Sequence, residues 1–357
     1  MMRIAILGLS ITSSWGNGHA TTYRGLVRQL AALGHEVTFL ERDAPWYADN
    51  RDQPTPRGAR MVLYRSLAEL RRCHAATVAD ADLVVVGSYV PEGIAVGEWV
   101  TGIARGATAF YDIDTPVTLA GLASGRVDYL TRALIPRYGL YLSFTGGPTL
   151  ERLEREFGAQ RARALYCSVE PEDYHPEPTT VRWDLGYLGT YSIDRQPTLA
   201  ELLMAPAGAL PDARFVVAGA QYPETIAWPA NVARVTHLPP REHRAFYNAQ
   251  RFTLNVTRAD MVRAGWSPSV RLFEAAACGT PIVSDYWDGL DGFFEPGREI
   301  LIARSAGEMR EFLRDLPEEE RTAIGHRARA RVLTAHTSAV RARELVGHAS
   351  EVVSCGS

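Results

Sequence analysis

The stretch Ser267-Pro268-Ser269-Val270-Arg271-Leu272-Phe273-Glu274-Ala275-Ala276-Ala277-Cys278-Gly279-Thr280-Pro281-Ile282-Val283-Ser284-Asp285 decides the fold. It reads as a polar turn, a short helix, a glycine stop and a buried strand. Ser267 or Ser269 is placed to cap the helix, and the fixed φ of Pro268 suits its first turn. Val270 to Cys278 are good helix formers, and Gly279 is suited to end them in the left-handed conformation. Ile282-Val283-Ser284 follow as a short β-branched strand. Ala275, Ala276 and Ala277 let the helix lie close against a sheet. Its N-terminal amides face whatever sits in front, and amides there favour a phosphate.

Outward from this stretch, strands alternate with helices in both directions. Upstream lie Leu185–Leu188 with a glycine turn (Gly189-Thr190-Tyr191), a helix at Pro197–Met204, and strands at Arg214–Gly219 and Val232–Leu238. A helix at Pro240–Ala249 and the strand Phe252–Val256 complete the set. Earlier still, Arg3–Gly8, His35–Leu40, Leu83–Tyr89, Ala107–Asp112 and Tyr138–Leu142 are short continuous apolar runs, the pattern of parallel strands buried on both faces. Ala20–Leu33 is amphipathic and stops at Gly34. Such alternation predicts an α/β chain with two doubly wound parallel sheets. Between Glu170 and Pro178, three prolines and four acidic residues predict a linker. The domains expected are 1–170 and 180–334, with a tail at about 335–357.

A chain of 357 residues, 46% hydrophobic and 22% charged, has room for two ordinary cores. Its net charge of −3 gives no general reason to expect nucleic acid as a partner. Ile4–Leu9 is too short for a signal peptide or a membrane span, and no later segment approaches one, so cytoplasm is the expectation. Cys73, Cys167, Cys278 and Cys355 are scattered without metal-ligand spacing, and no metal is expected. All 38 cationic side chains are arginine. The absence of lysine excludes Schiff-base chemistry, a lysine-bound pyridoxal phosphate and a P-loop. Glu41 ends the second strand where a dinucleotide fold holds a ribose, but the G-x-G-x-x-G fingerprint is missing.

The opening stretch closely resembles the donor-binding signature of GT-B glycosyltransferases, E-A-x-A-C-G-x-P followed by two aliphatic residues. Ser-Pro-Ser-Val-Arg ahead of Phe273-Glu274 resembles, more narrowly, the CgeB branch of spore-maturation-protein-like enzymes. The resemblance implies two Rossmann-like domains facing across a cleft, with the tail helix returning to the first. It implies a donor of the UDP- or dTDP-sugar type as co-substrate, with no resident cofactor. By that resemblance Glu274 binds the ribose, and Ser267, Ser269 and the Val270 amide lie near the diphosphate. Many retaining members carry a second glutamate eight positions earlier, where this chain has Trp266, so retention is not supported.

Further site residues follow from the same likeness. Gly189-Thr190 and Arg195 belong beside the diphosphate, with Arg258, Arg263 and Arg271 as further cations in that half. Arg271 faces either the diphosphate or the neighbouring sheet. His237, after a strand, stands where members hold the base, and Trp287 is either a sugar contact or core. In the first domain Gly16-Asn17-Gly18 stand ahead of His19 at the entry to the first helix, where glycines let the backbone turn tightly near a ligand. A histidine at a helix N-terminus resists protonation, which suits a general base. Inverting GT-B enzymes pair such a histidine with an aspartate about a hundred residues on, here Asp114 or Asp112. The expected activity is transfer of a hexose-like sugar to a hydroxyl or amine acceptor, with inversion. An epimerase on this fold and a non-catalytic nucleotide-sugar-binding protein are the alternatives.

Overall fold

The computed structural model describes residues 1–15 and 18–355. The chain divides into two compact units, Met1–Ser168 with Ser338–Ser357, and Val169–Thr337. In the first, strands β1 (Arg3–Gly8), β2 (Glu36–Arg42), β3 (Arg60–Tyr64), β4 (Leu83–Gly87), β5 (Ala107–Asp112), β6 (Leu140–Ser143) and β7 (Ala162–Ala164) form one sheet. Their order is β3-β2-β1-β4-β5-β6-β7, parallel at every pairing. Every residue of β4 and all but Arg3 of β1 are buried, which is why these strands read as unbroken apolar runs. The helix Ser338–Cys355 packs on the helix His19–Ala32 and on β5 and β6.

The second unit repeats the plan with β8 (Trp183–Leu188), β9 (Phe215–Ala218), β10 (Val232–Val235), β11 (Gln250–Asn255), β12 (Ile282–Ser284) and β13 (Leu301–Ile302). The order is β10-β9-β8-β11-β12-β13, again all parallel. Leu185, Phe215, Val217, Phe252, Leu254 and Val283 fill its core. In both units the strand order reverses once, between β1 and β4 and between β8 and β11. At such a point the loops leaving the strand ends diverge and open a crevice at the C-terminal edge of the sheet.

Several elements differ from expectation for local reasons. The helix expected over Pro197–Met204 is Gln196–Leu199, then a wide turn at Ala200–Met204, then Ala205–Ala209. Pro206 lacks an N–H and its ring crowds the preceding turn, and a wider turn accommodates it. Strand β6 starts at Leu140 rather than Tyr138 because Ile135–Arg137, with Pro136, is a tight turn. The proline-rich segment after Ser168 is a strap along the second unit. Tyr174 is buried, Glu177 accepts from Arg244 Nε at 2.8 Å, and Asn248 Nδ2 donates to the His175 carbonyl at 3.1 Å.

Candidate functional site

The helix Val270–Ala277 forms as its residues dictate, with Cys278 at its C-cap and Gly279 left-handed at φ 73°. Ala275, Ala276 and Ala277 are fully buried, so the helix lies tight against its neighbours. Its N-terminus departs from the capping expectation. Ser269 occupies the N-cap, but its hydroxyl donates to Asn255 Oδ1 at 2.8 Å and makes no cap bond. Ser267 instead places its hydroxyl 3.2 Å from Met261 Sδ. The N-cap side chain therefore leaves the first-turn amides, Val270 among them, to other partners, and such amides favour an anion.

Three arginines converge on this edge, Arg271 from the helix itself and Arg195 and Arg258 from the loops after β8 and β11. Arg271 is turned toward the sheet. Its Nε donates to the Leu188 carbonyl at the end of β8, and its Nη1 donates to Asn255 Oδ1 at 2.9 Å. Arg195, after β8, donates to the Thr190 carbonyl at 2.6 Å. Arg258 follows β11, and its charge and that of Arg271 both act on Arg195. Burial, reinforced by these like charges, holds Arg195 below the ordinary guanidinium range. The Nε groups of Arg195 and Arg258 are buried without a hydrogen-bond partner. Asp194 clamps the two loops together by accepting from the Ala259 amide at 2.8 Å. Gly189 is in the same place, for a Cβ there would come within 2.9 Å of Arg271 Nη2. Arg263 is drawn off instead into an exposed ion pair with Asp260.

Glu274 is buried on the same helix. Its Oε2 accepts from Tyr247 Oη at 3.0 Å and lies 3.8 Å from His243 Nδ1, which is 3.5 Å from Tyr174 Oη. His237, expected at the base, is exposed on the loop after β10; the histidine beside Glu274 is His243. The spacing of His243 and Tyr247, four apart on the helix Pro240–Asn248, is the signal that places both on one face. Trp287 is core, with its ring 5.7 Å from that of Phe293. Trp266 is left-handed, at φ 42°, and lies over Gly289, where a Cβ would meet its ring at 2.5 Å.

The first unit gathers a second cluster at its own switch point. His19 opens the helix after β1, and Gly18 is its N-cap; Gly16 and Asn17 lie outside the described residues. Tyr89, two residues past β4, meets the His19 ring edge-on at 5.4 Å and donates to Asp114 Oδ2 at 3.2 Å. Burial lowers the His19 pKa, and the charge of Asp114 opposes that shift. The two candidate aspartates part company here. Asp112, the last residue of β5, is fully buried and accepts from Tyr141 Oη at 2.5 Å and Thr118 Oγ1 at 2.8 Å. Burial raises its pKa to about 6. Asp114 is thus the partner that acts on His19, and Asp112 serves the core behind it.

The Glu41 carboxylate is taken up by its neighbouring loop: it accepts from the Ser10 and Thr12 hydroxyls at 3.0 and 2.6 Å and from the Ile11 and Thr12 amides at 2.7 and 3.1 Å. It shapes the loop leading to His19. The segment after β2 is pinned to that loop, Arg24 pairing with Asp52 at 2.8 Å and Arg51 reaching Thr12 Oγ1 at 3.1 Å. Among the described residues, no group of three or more His, Cys, Asp or Glu side chains is placed to hold a metal ion, and no helix is long and apolar enough to cross a membrane.

Residues 195–347 match a family described as Glycosyl transferase-like, a span that includes Arg195, Arg258, Arg271 and Glu274. The match spans less than half of the chain, and the two Rossmann-like units have the GT-B fold of the solved structures they resemble. Among solved structures, sucrose-phosphate synthase from Thermosynechococcus elongatus is similar over 99% of this chain and 100% of its own, with 14% identity and a TM-score of 0.68. HepE from Anabaena in complex with UDP-glucose is similar over 98% and 100%, with 13% identity and a TM-score of 0.69. An alpha-glucosyltransferase in complex with UDP-glucose and DNA is similar over 98% and 99%, with 14% identity and a TM-score of 0.70. At these identities the likeness shows the fold alone. No curated protein sequence matches the chain.

Proposed function

We propose that this chain transfers a sugar from a nucleotide diphosphate-sugar of the UDP or dTDP type to a hydroxyl or amine acceptor, with inversion and with His19 as general base. The observation that carries the reading is the group of Arg195, Arg258 and Arg271, two of them with buried unpaired Nε donors, beside a helix whose N-cap side chain makes no cap bond. Like charges gathered at a half-buried edge favour an anion that joins them. A diphosphate supplies that anion, and the chemistry needs it held as it leaves. Glu274, on the same helix, takes the ribose hydroxyls. The similar HepE and alpha-glucosyltransferase structures hold UDP-glucose, which supports a nucleotide sugar as donor. The run Ser267 to Glu274 supports a place near the CgeB branch.

In this mechanism His19 takes the acceptor proton while the acceptor oxygen or nitrogen attacks the anomeric carbon. The bond from that carbon to the diphosphate oxygen breaks, and the leaving charge passes to the arginines and the helix amides. Asp114 stabilises the imidazolium that forms. Cationic side chains thereby do the work that a metal ion does in other phosphate chemistry.

The test is calorimetric melting of the purified chain with UDP, dTDP, the other nucleoside diphosphates and their sugars. A ligand that binds only the folded state raises Tm by mass action. One nucleotide is expected to raise it, and Glu274→Ala to abolish the rise. His19→Gln is expected to retain the rise while losing nucleotide release in the presence of an acceptor panel. No rise with any nucleotide refutes the donor site, and turnover intact in His19→Gln refutes the base. Product of retained anomeric configuration refutes inversion.

A further inference from the structure

We propose that Tyr89 is a positioning residue whose hydroxyl holds the Asp114 carboxylate toward His19 and away from the helix end that Asp114 would otherwise cap. The inference rests on the reading of His19 as the base.

Three observations point the same way. The first is the backbone. Tyr89 has φ 63° and Glu92, three residues on, has φ 56°, so the loop leaving β4 carries two bulky residues in the left-handed region. That conformation is unfavourable for a side chain with a Cβ and persists where its surroundings enforce it. The second is what the strain achieves. The Tyr89 hydroxyl reaches Asp114 Oδ2 at 3.2 Å while its ring packs edge-on against His19 and lies 4.6 Å from the Tyr129 ring. Tyr129 is fixed in turn by Thr118, at 2.8 Å, and Thr118 by Asp112 Oδ1, also at 2.8 Å. The phenol is thus braced from behind by a chain of hydrogen bonds that ends on a buried carboxylate.

The third is a cap that is not made. Asp114 occupies the N-cap of the helix Thr115–Ala123, a position for which aspartate is among the preferred residues, yet its side chain makes no cap bond. Two other helices of this chain do use such a position: Ser66 accepts from the Glu69 amide and Ser305 from the Glu308 amide. The Asp114 carboxylate is diverted. Among the described contacts of His19 are the charge of Asp114, at the start of the helix after β5, and the ring of Tyr89 from the loop after β4, with Tyr129 and Asp112 beyond Tyr89. Of these, Asp114 stabilises the protonated imidazole, so its orientation controls how readily His19 takes up a proton.

The test reads His19 directly. Its ring signal in a histidine-labelled NMR spectrum is identified by its loss in His19→Gln, and its titration is followed in the wild type, Tyr89→Phe, Asp114→Asn and the double variant. Phenylalanine keeps the ring packing and removes only the hydroxyl. Tyr89→Phe is expected to free Asp114 to cap its helix, so that His19 titrates at lower pH while Tm is no lower than wild type. Asp114→Asn is expected to lower the titration as well, and the double variant to lower it no further than Asp114→Asn alone. An unchanged His19 titration in Tyr89→Phe, or additive shifts in the double variant, overturns the proposal. Because no substrate enters this measurement, it is separate from the turnover of His19→Gln, which tests the base reading itself.

Discussion

Replacing Arg258 with methionine separates binding from stability in the donor half. Methionine keeps an unbranched stem and removes the guanidinium. In the folded chain the Arg258 Nε is buried without a partner, so its removal relieves a cost of about 1–3 kcal/mol. It also removes one of the like charges acting on Arg195. Set against this is the lost attraction to Asp194, whose carboxylate still accepts from the Ala259 amide at 2.8 Å and from Ser192. The balance predicts a ligand-free stability between unchanged and about 1 kcal/mol higher, a rise of at most about 2–4 °C for a domain of this size. Binding moves the other way. A charge-assisted hydrogen bond to a phosphate oxygen contributes about 1.5–3 kcal/mol, so Kd for UDP weakens by about 10- to 150-fold. Titration calorimetry with UDP and scanning calorimetry of the free protein read the two effects independently. A Kd within about twofold of wild type, or a Tm that falls together with the affinity, refutes the reasoning, because Arg258 would then hold the fold rather than await an anion.

Gly219→Ala is expected to destabilise the second unit by about 3 kcal/mol or more, since its backbone has φ 148° and a Cβ would lie 2.1 Å from the Gly189 carbonyl oxygen; an unchanged urea midpoint refutes that close approach. Asp112→Asn is expected to stabilise the protein at pH 7.5 by up to about 3 kcal/mol and to lose about two-thirds of that advantage by pH 4.5. The sign follows from a carboxyl raised by burial from 3.8 to about 6: the folded state keeps a proton that the unfolded state releases, so wild-type stability falls as pH rises from about 4 to about 6. Urea unfolding at both pH values checks it, and an equal difference at the two refutes the assignment of that proton to Asp112.

The two sheets were legible because strands covered on both faces have no polar side to show, so β1, β4 and β9 appear as apolar runs whatever surrounds them. The helix Val270–Ala277 was legible because its stop and the strand after it are local signals. Side-chain destinations were not. Ser269 sits where a cap belongs, but Asn255 at the end of β11 competes for its hydroxyl, and nothing near Ser269 in the chain announces Asn255. Asp112 and Asp114 are two residues apart and were indistinguishable in sequence. The sheet separates them, because Asp112 still belongs to β5, where Tyr141 of the neighbouring β6 reaches its carboxylate, whereas Asp114 has left the strand. Glu274 was singled out by its motif, yet the tyrosines and histidine around it come from the strap after Ser168 and from the helix Pro240–Asn248, a neighbourhood made only by folding.

Strain shows independently where this chain has yielded stability. Among the described residues, four other than glycine have a positive φ: Tyr89, Glu92, Gln221 and Trp266. Tyr89 and Glu92 follow β4, Gln221 follows β9, and Trp266 lies between β11 and the helix Val270–Ala277. All four lie in segments that leave the C-terminal edges of the sheets. Where helices return to the opposite edge, as before β2 and β12, the left-handed turn is taken by Gly34 and Gly279, for which it costs little. Were the strain an accident of loop building, both edges would share it. Its confinement to one edge in each unit matches the rule that open parallel sheets bind beyond the carboxyl ends of their strands. It also matches the two other local misfits, the unpaired Arg195 and Arg258 donors and the unused Asp114 cap, which lie on the same edges. Breaks of local rules that gather at both switch points are of the kind that functional sites, rather than folding, retain.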